Sequence, residues 1–187
     1  ASTERFVGSQ KGQRTRAVVP YAELHAHSHF SFLDGASSPE ELVLEAVRLD
    51  LSALALTDHG GFYGVVRFAE CAREVGLPTV FGAELTVDAW QSEETSTLRP
   101  QGSNFSRVGS VDPAGKRLIV LARHPAGYAS LSALLSRSQM AGQKNAPRIS
   151  TPELFDALDS HRGDWALLTA GRRGAVPTAL EAEGVLG

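Results

Sequence analysis

HAHSHFSFLDG, residues 25–35, followed by TDHGGFYGVVRF, residues 57–68, points to the architecture of this chain. His25 and His27 stand two residues apart behind Val18, Val19 and Leu24, an apolar run that predicts a short strand over about 18–26. Side chains alternate across a strand, so both imidazoles leave on one face at its end, where they can grip one metal ion. Asp58 and His59 follow a second apolar run, Leu54-Ala55-Leu56-Thr57, in the same way. A third run, Phe81-Gly82-Ala83, ends in Glu84. Three strand ends that carry His or carboxylate are what a metal-dependent hydrolase on an α/β scaffold would present.

Working outward, Ser38-Pro39-Glu40-Glu41 is a helix start, with Ser38 as cap and two acids at the positive end of the dipole. Leu42, Val43, Ala46, Val47 and Leu49 continue it at helical spacing to about Asp50. A strand over 53–57, a helix over 63–75 stopped by Gly76 and Pro78, and a strand over 79–87 follow. Residues 88–115 contain Ser, Thr, Gly, Asn and Pro with few apolar positions and read as a long loop. Beyond it come a strand over 118–121, a helix over 126–140 and a loop over 142–150. A short helix over 152–158, a strand over 165–169 and a last helix over 175–183 complete the pattern. Alternating strands and helices predict an α/β fold with a parallel sheet or barrel. Closed α/β barrels need about 200 residues or more, so five units in 187 residues read as an unfinished barrel. The chain is expected to be the N-terminal part of a longer polypeptide, and Ala1 in place of Met points the same way. Residues 1–19 are polar and read as a flexible N-terminal segment, with one domain over 20–187.

A net charge of −3 argues against a chain that coats nucleic acid by charge alone. Arg5, Lys11, Arg14 and Arg16 cluster in the first segment and read as a solvated tail. Cys71 is the single cysteine, so no internal disulfide can form, and its helical setting suits a small core residue. No apolar run reaches the length of a membrane span, which fits a cytoplasmic protein.

YAELHAHSHFSFLDGASSPEELVLEA and LALTDHGGFYGVVRFAECAREVGLPTVFGAEL resemble the polymerase-and-histidinol-phosphatase (PHP) domain. The likeness continues through LIVLARHPAGYASLSALLSRSQMAG and thinly through LLTAGRRGAV, covering about residues 20–175. Within that family the chain looks most like the N-terminal domain of bacterial C-family DNA polymerase α subunits, in the error-prone branch. The resemblance implies a distorted α/β barrel with metal ions at the C-terminal ends of its strands. His25 and His27 match the first ligand pair, Asp34 a further ligand, His59 the ligand of the TDH motif, and Glu84 the bridging carboxylate. Asp58 would orient a ligand. Divalent zinc, manganese or iron suits such a donor set, and the reaction implied is phosphoester hydrolysis.

The chain departs from the family where the chemistry is done. Arg117 stands where the family has a His, Gly171 where it has a Cys, and the final D-x-H motif lies beyond Gly187. Arg cannot ligate a metal, but its charge can replace a cation. The expectation is that Arg117 enters the cleft and pairs with Glu84. His124 lies past the fourth strand, out of register with the lost ligand. His29 is expected to pack the loop or face solvent, and His161 to be exposed. For Asp34 an Asx turn is a rival to metal ligation. Phe30, Phe32, Phe62, Tyr63 and Phe68 are expected to pack the barrel mouth rather than stack on bases.

Three functions compete. One is the N-terminal PHP domain of an error-prone polymerase, mainly structural, with a degenerate metal site. Its partners would be the remainder of that chain and, through it, DNA. The second is a free-standing PHP phosphoesterase. The third is a non-catalytic binding module that keeps the pocket without metal.

Overall fold

The computed structural model describes residues 20–87, 116–142, 147, 149–171, 174, 176 and 177. The N-terminal basic cluster and the loop predicted at 88–115 lie outside them, as does most of the helix predicted at 175–183. The described chain runs β1 (Ala22–Ala26), α1 (Pro39–Arg48), β2 (Ala53–Leu56), α2 (Val65–Val75), β3 (Thr79–Val87), β4 (Lys116–Ala122), α3 (Pro125–Ala141), α4 (Thr151–Ser160) and β5 (Trp165–Leu168).

The helices begin where side-chain oxygens can answer free N–H groups. Ser38 accepts from Glu41 N while Glu41 returns a bond to Ser38 N, a reciprocal cap with Pro39 just inside. Ser150 and Glu153 repeat it at α4, which moves that helix start one residue ahead of the predicted Pro152. Such a cap contributes about 1 kcal/mol. At the other end of α2, Gly76 takes φ +74° and its N–H bonds Ala72 O, a left-handed stop that suits glycine.

The five strands form one sheet in the order β1-β2-β3-β4-β5. β1, β2 and β3 are parallel, but β4 pairs antiparallel with both β3 and β5. The sequence pattern predicted a parallel sheet throughout, and this is a correction. Parallel neighbours need a crossover, usually a helix. None is predicted between β3 and β4, and Val87 pairs directly with Lys116, so β4 turns back along β3. The reversal brings the first residues of β4, not its last, to the C-terminal ends of the other strands. The fold is mixed α/β, with β1 and β5 at the sheet edges, as a partial barrel has.

Alternation sorts the strands between two faces. Leu54 and Leu56 of β2 pack on Val43, Ala46, Phe68 and Ala72 of α1 and α2. Ala83, Leu85 and Val120 pack on Leu131, Leu134 and Leu154 of α3 and α4. On the opposite face Ala55, Ile119 and Leu121 form a smaller cluster with Ala170. Cys71 is half-buried against the α1–α2 core, as its pattern predicted. Among the described residues no helix is long and apolar enough to cross a membrane.

The turn from β4 into α3 locks against the turn before β5. Trp165 Nε1 donates to Gly127 O at 2.8 Å, and a Cβ at Gly127 would collide with Asp164 O. Overpacking of this kind costs about 1–3 kcal/mol. Gly127→Ala should lower the thermal midpoint by several degrees, whereas Met140→Ala, at an exposed position on the same helix, should leave it within about a degree. Thermal unfolding followed by circular dichroism measures both.

Candidate metal centre

A bulge sets the first two histidines. Glu23 pairs with Leu54 and Ala26 with Leu56, so Leu24 and His25 together stand against one residue of β2. Bulges re-aim side chains next to functional sites. The Glu23 carboxylate accepts from His25 N at 2.8 Å. His25 and His27 converge, ring centroids 4.8 Å apart, though not by the simple alternation the sequence suggested.

His59 is held by pairing that continues past the end of β2. Glu84 N donates to Asp58 O, Gly60 N donates to Glu84 O, and His59 bridges Glu84 in parallel register. Glu84 is 1% exposed. Its Oε2 lies 2.8 Å from His25 Nε2 and 3.4 Å from His27 Nε2. Its Oε1 lies 2.9 Å from Arg117 Nη1 and 3.2 Å from His59 Nδ1. Burial by itself would raise the Glu84 pKa, but the His25, His27 and His59 rings outweigh it and hold the carboxyl far below its ordinary range. Burial likewise opposes charge on His59, and contacts with Glu84 and Asp34 overcome it, so its pKa is raised.

Asp34 joins from the loop after β1. Its Oδ2 sits 3.0 Å from His27 Nδ1 and 2.7 Å from His59 Nε2, and Arg117 Nη1 approaches to 3.7 Å. The side chain thus faces the cluster and makes no Asx turn. Leu33, just before it, takes φ +65°, a strained conformation for a branched residue and part of how the loop turns Asp34 inward.

Asp58 touches no histidine ring. It accepts from Ser28 N at 2.8 Å, Ser28 Oγ at 2.7 Å and Ser31 Oγ at 2.7 Å, and Ser31 Oγ in turn accepts from His59 N. Asp58 therefore pins the loop that carries Asp34 and reaches His59 only through Ser31. Ser28 and Ser31 escaped the sequence reading. The signal was a charged residue in an apolar run, which needs donors once buried. Gln139 also escaped it. From α3 it donates to Gly60 O at 2.8 Å and to Tyr63 OH at 3.1 Å, which ties the TDHG turn to the helix layer.

The remaining histidines lie outside the cluster. His124 lies at the opposite end of the sheet, 3.1 Å from Asp164, because β4 is reversed. His161 is only partly exposed, 3.3 Å from the same carboxylate and beside Trp165. His29 packs on Phe30. The aromatics divide: Phe68 is fully buried and Phe62 stacks on Tyr128, but Phe32 is 78% and Tyr63 57% exposed, so these two do not pack the mouth as expected.

Two trios of donors lie within 4.8 Å of one another: His25, His27 and Glu84, and His27, Asp34 and His59. His27 Nε2, His59 Nδ1 and Glu84 Oε1 are buried and make no well-shaped hydrogen bond, although Oε1 has Arg117 at ion-pair distance. Buried nitrogen and carboxylate atoms left without a hydrogen-bond partner suit a divalent cation.

Residues 23–185 match the PHP domain family. The chain belongs to that family. This PHP domain is 51% identical over 171 residues to the error-prone DNA polymerase of Mycolicibacterium paratuberculosis, covering 91% of this chain and 14% of that protein. Against the error-prone DNA polymerase of Mycobacterium tuberculosis it is 51% identical, covering 92% and 14%. Against that of Nocardia farcinica it is 46% identical, covering 88% and 16%. The domain therefore spans about a seventh of the length of these relatives. Among solved structures it is similar to an amidohydrolase from Chromobacterium violaceum, at 22% identity and a TM-score of 0.44 over 89% of this chain and 40% of that one.

Two variants probe the centre. Asp58→Ala should speed amide exchange at Ser31, Asp34 and Gly35 at least about tenfold while exchange in β3 changes little, because the loop loses its anchor and the sheet does not. Glu84→Gln should cost about 3–5 kcal/mol in denaturant unfolding, since it leaves the buried Arg117 facing a neutral amide.

Proposed function

We propose that this chain is the N-terminal PHP region of an error-prone DNA polymerase. In this reading it chiefly supports the rest of that polypeptide, and its metal centre is degenerate. The observation that carries the reading is the identity to error-prone polymerases across nine-tenths of the chain. Arg117 supports the second half of it, with its guanidinium against Glu84 Oε1. The buried core on the α3–α4 side, on the face of β3 opposite Glu84, suits a supporting role.

His25, His27 and Glu84, with His59 and Asp34 beside them, are the residues that would hold a divalent ion, with zinc, manganese and iron all compatible with nitrogen and oxygen donors. Such an ion supplies Lewis acidity toward a phosphoryl oxygen. The chain's own residues do the rest. Asp34 fixes the His27 and His59 rings, Asp58 fixes the loop, and Arg117 places a fixed positive charge against Glu84 and Asp34. DNA is the partner through the whole polymerase, in the bacterial cytoplasm.

The test uses the full-length polypeptide. It should extend primers on undamaged and lesion-bearing templates, and release little or no nucleotide from a labelled single strand with manganese or zinc. Absence of primer extension would overturn the polymerase reading. Robust nucleotide release that disappears in His25→Ala/His27→Ala would replace the degenerate site with a working phosphoesterase.

A further inference from the structure

We infer that Arg117 is a built-in cation on the His59–Asp34 side of the cluster, so that the centre takes one divalent ion, on His25, His27 and Glu84. The inference deepens the reading of this cluster as a metal centre and rests on it.

The two oxygens of Glu84 divide the cluster. Oε2 faces His25 and His27, while Oε1 faces Arg117 and His59. Asp34 Oδ2 belongs to the second side, with His59 at 2.7 Å and Arg117 at 3.7 Å. His27 stands on the boundary. Its Nδ1 is turned to Asp34 and its Nε2 to Glu84 Oε2. A ring that donates from Nδ1 to a carboxylate carries its lone pair on Nε2, and here Nε2 is buried without a hydrogen-bond partner. A carboxylate orienting a histidine from behind is the usual support for a metal ligand. His25, with its side chain 36% exposed, adds a third donor and leaves a way in from solvent.

The second trio already has a cation beside it. An ion on His27, Asp34 and His59 would share Asp34 with a guanidinium that cannot lose its proton and that also sits against Glu84 Oε1. Like charges a few ångströms apart in a partly buried site are poorly screened. Arg117 arrives there because β4 is reversed, with Arg117 opposite Thr86 and on the same face as Glu84. It is 9% exposed, held within the fold rather than resting on it.

The test is metal stoichiometry in the full-length polypeptide, stripped with chelator and titrated with Co²⁺ by calorimetry and visible absorption. Ions at this centre are counted as the difference from His27→Ala, which touches both trios and cancels sites elsewhere. Wild type should give one ion. His25→Ala should weaken it at least about tenfold, and His59→Ala less than about threefold. Arg117→Lys should keep the count at one, and Arg117→His should raise it to two. A wild-type count of zero or two, or a count that stays at one in folded Arg117→His, overturns the inference. So does an ion that survives His25→Ala and is lost in His59→Ala. If Arg117→His fails to fold, the opposite responses of His25→Ala and His59→Ala decide alone. Primer extension by the same preparations reports on the polymerase reading separately, since its loss with the one-ion count intact strikes only that reading.

Discussion

One buried carboxylate organises this half of the molecule. Glu84 lies inside a sheet, almost sealed from water, and an unanswered charge there would be costly. Every element at the C-terminal end of the sheet supplies part of the answer: His25 and His27 from the end of β1, His59 from the end of β2, and Arg117 from the start of β4. Even its backbone is used, tied to Asp58 and Gly60. The strands are in register with one another and with this side chain at once. A shift of one residue in β3 would turn Glu84 into the helix layer and break all four contacts.

The direction of β4 is the second constraint. Had it run parallel, Arg117 would lie at the far end of the sheet and His124 at the near end. Reversed, it exchanges them: a guanidinium enters the cluster and a histidine leaves it for Asp164. The identity of the cation at the centre is thus decided by strand direction as much as by residue type.

Much of this was legible in the residues. HAHSH, TDH and GAE are compact, and each ends an apolar run, so the convergence of His25, His27, His59 and Glu84 followed from strand ends alone. Arg117 was legible only against the family pattern, as an oddity at a ligand position. The direction of β4 was not legible, because a long polar stretch preceding a strand does not say on which side the strand returns. The bulge at Leu24 and His25 was hidden for a related reason: two residues facing one is a property of the pair of strands, and neither sequence records it. Asp58 was legible as a residue that would orient a ligand, but its partners were not: the hydroxyls of Ser28 and Ser31 stand some thirty residues earlier in the chain.

That last arrangement separates two things that metal centres often combine. The loop bearing Asp34 hangs from Asp58 through serines, and none of those bonds involves a histidine ring. Within this loop the contacts that hold the backbone are therefore separate from the contacts that gather the rings, and a change at a histidine ring need not disturb the turn that presents Asp34.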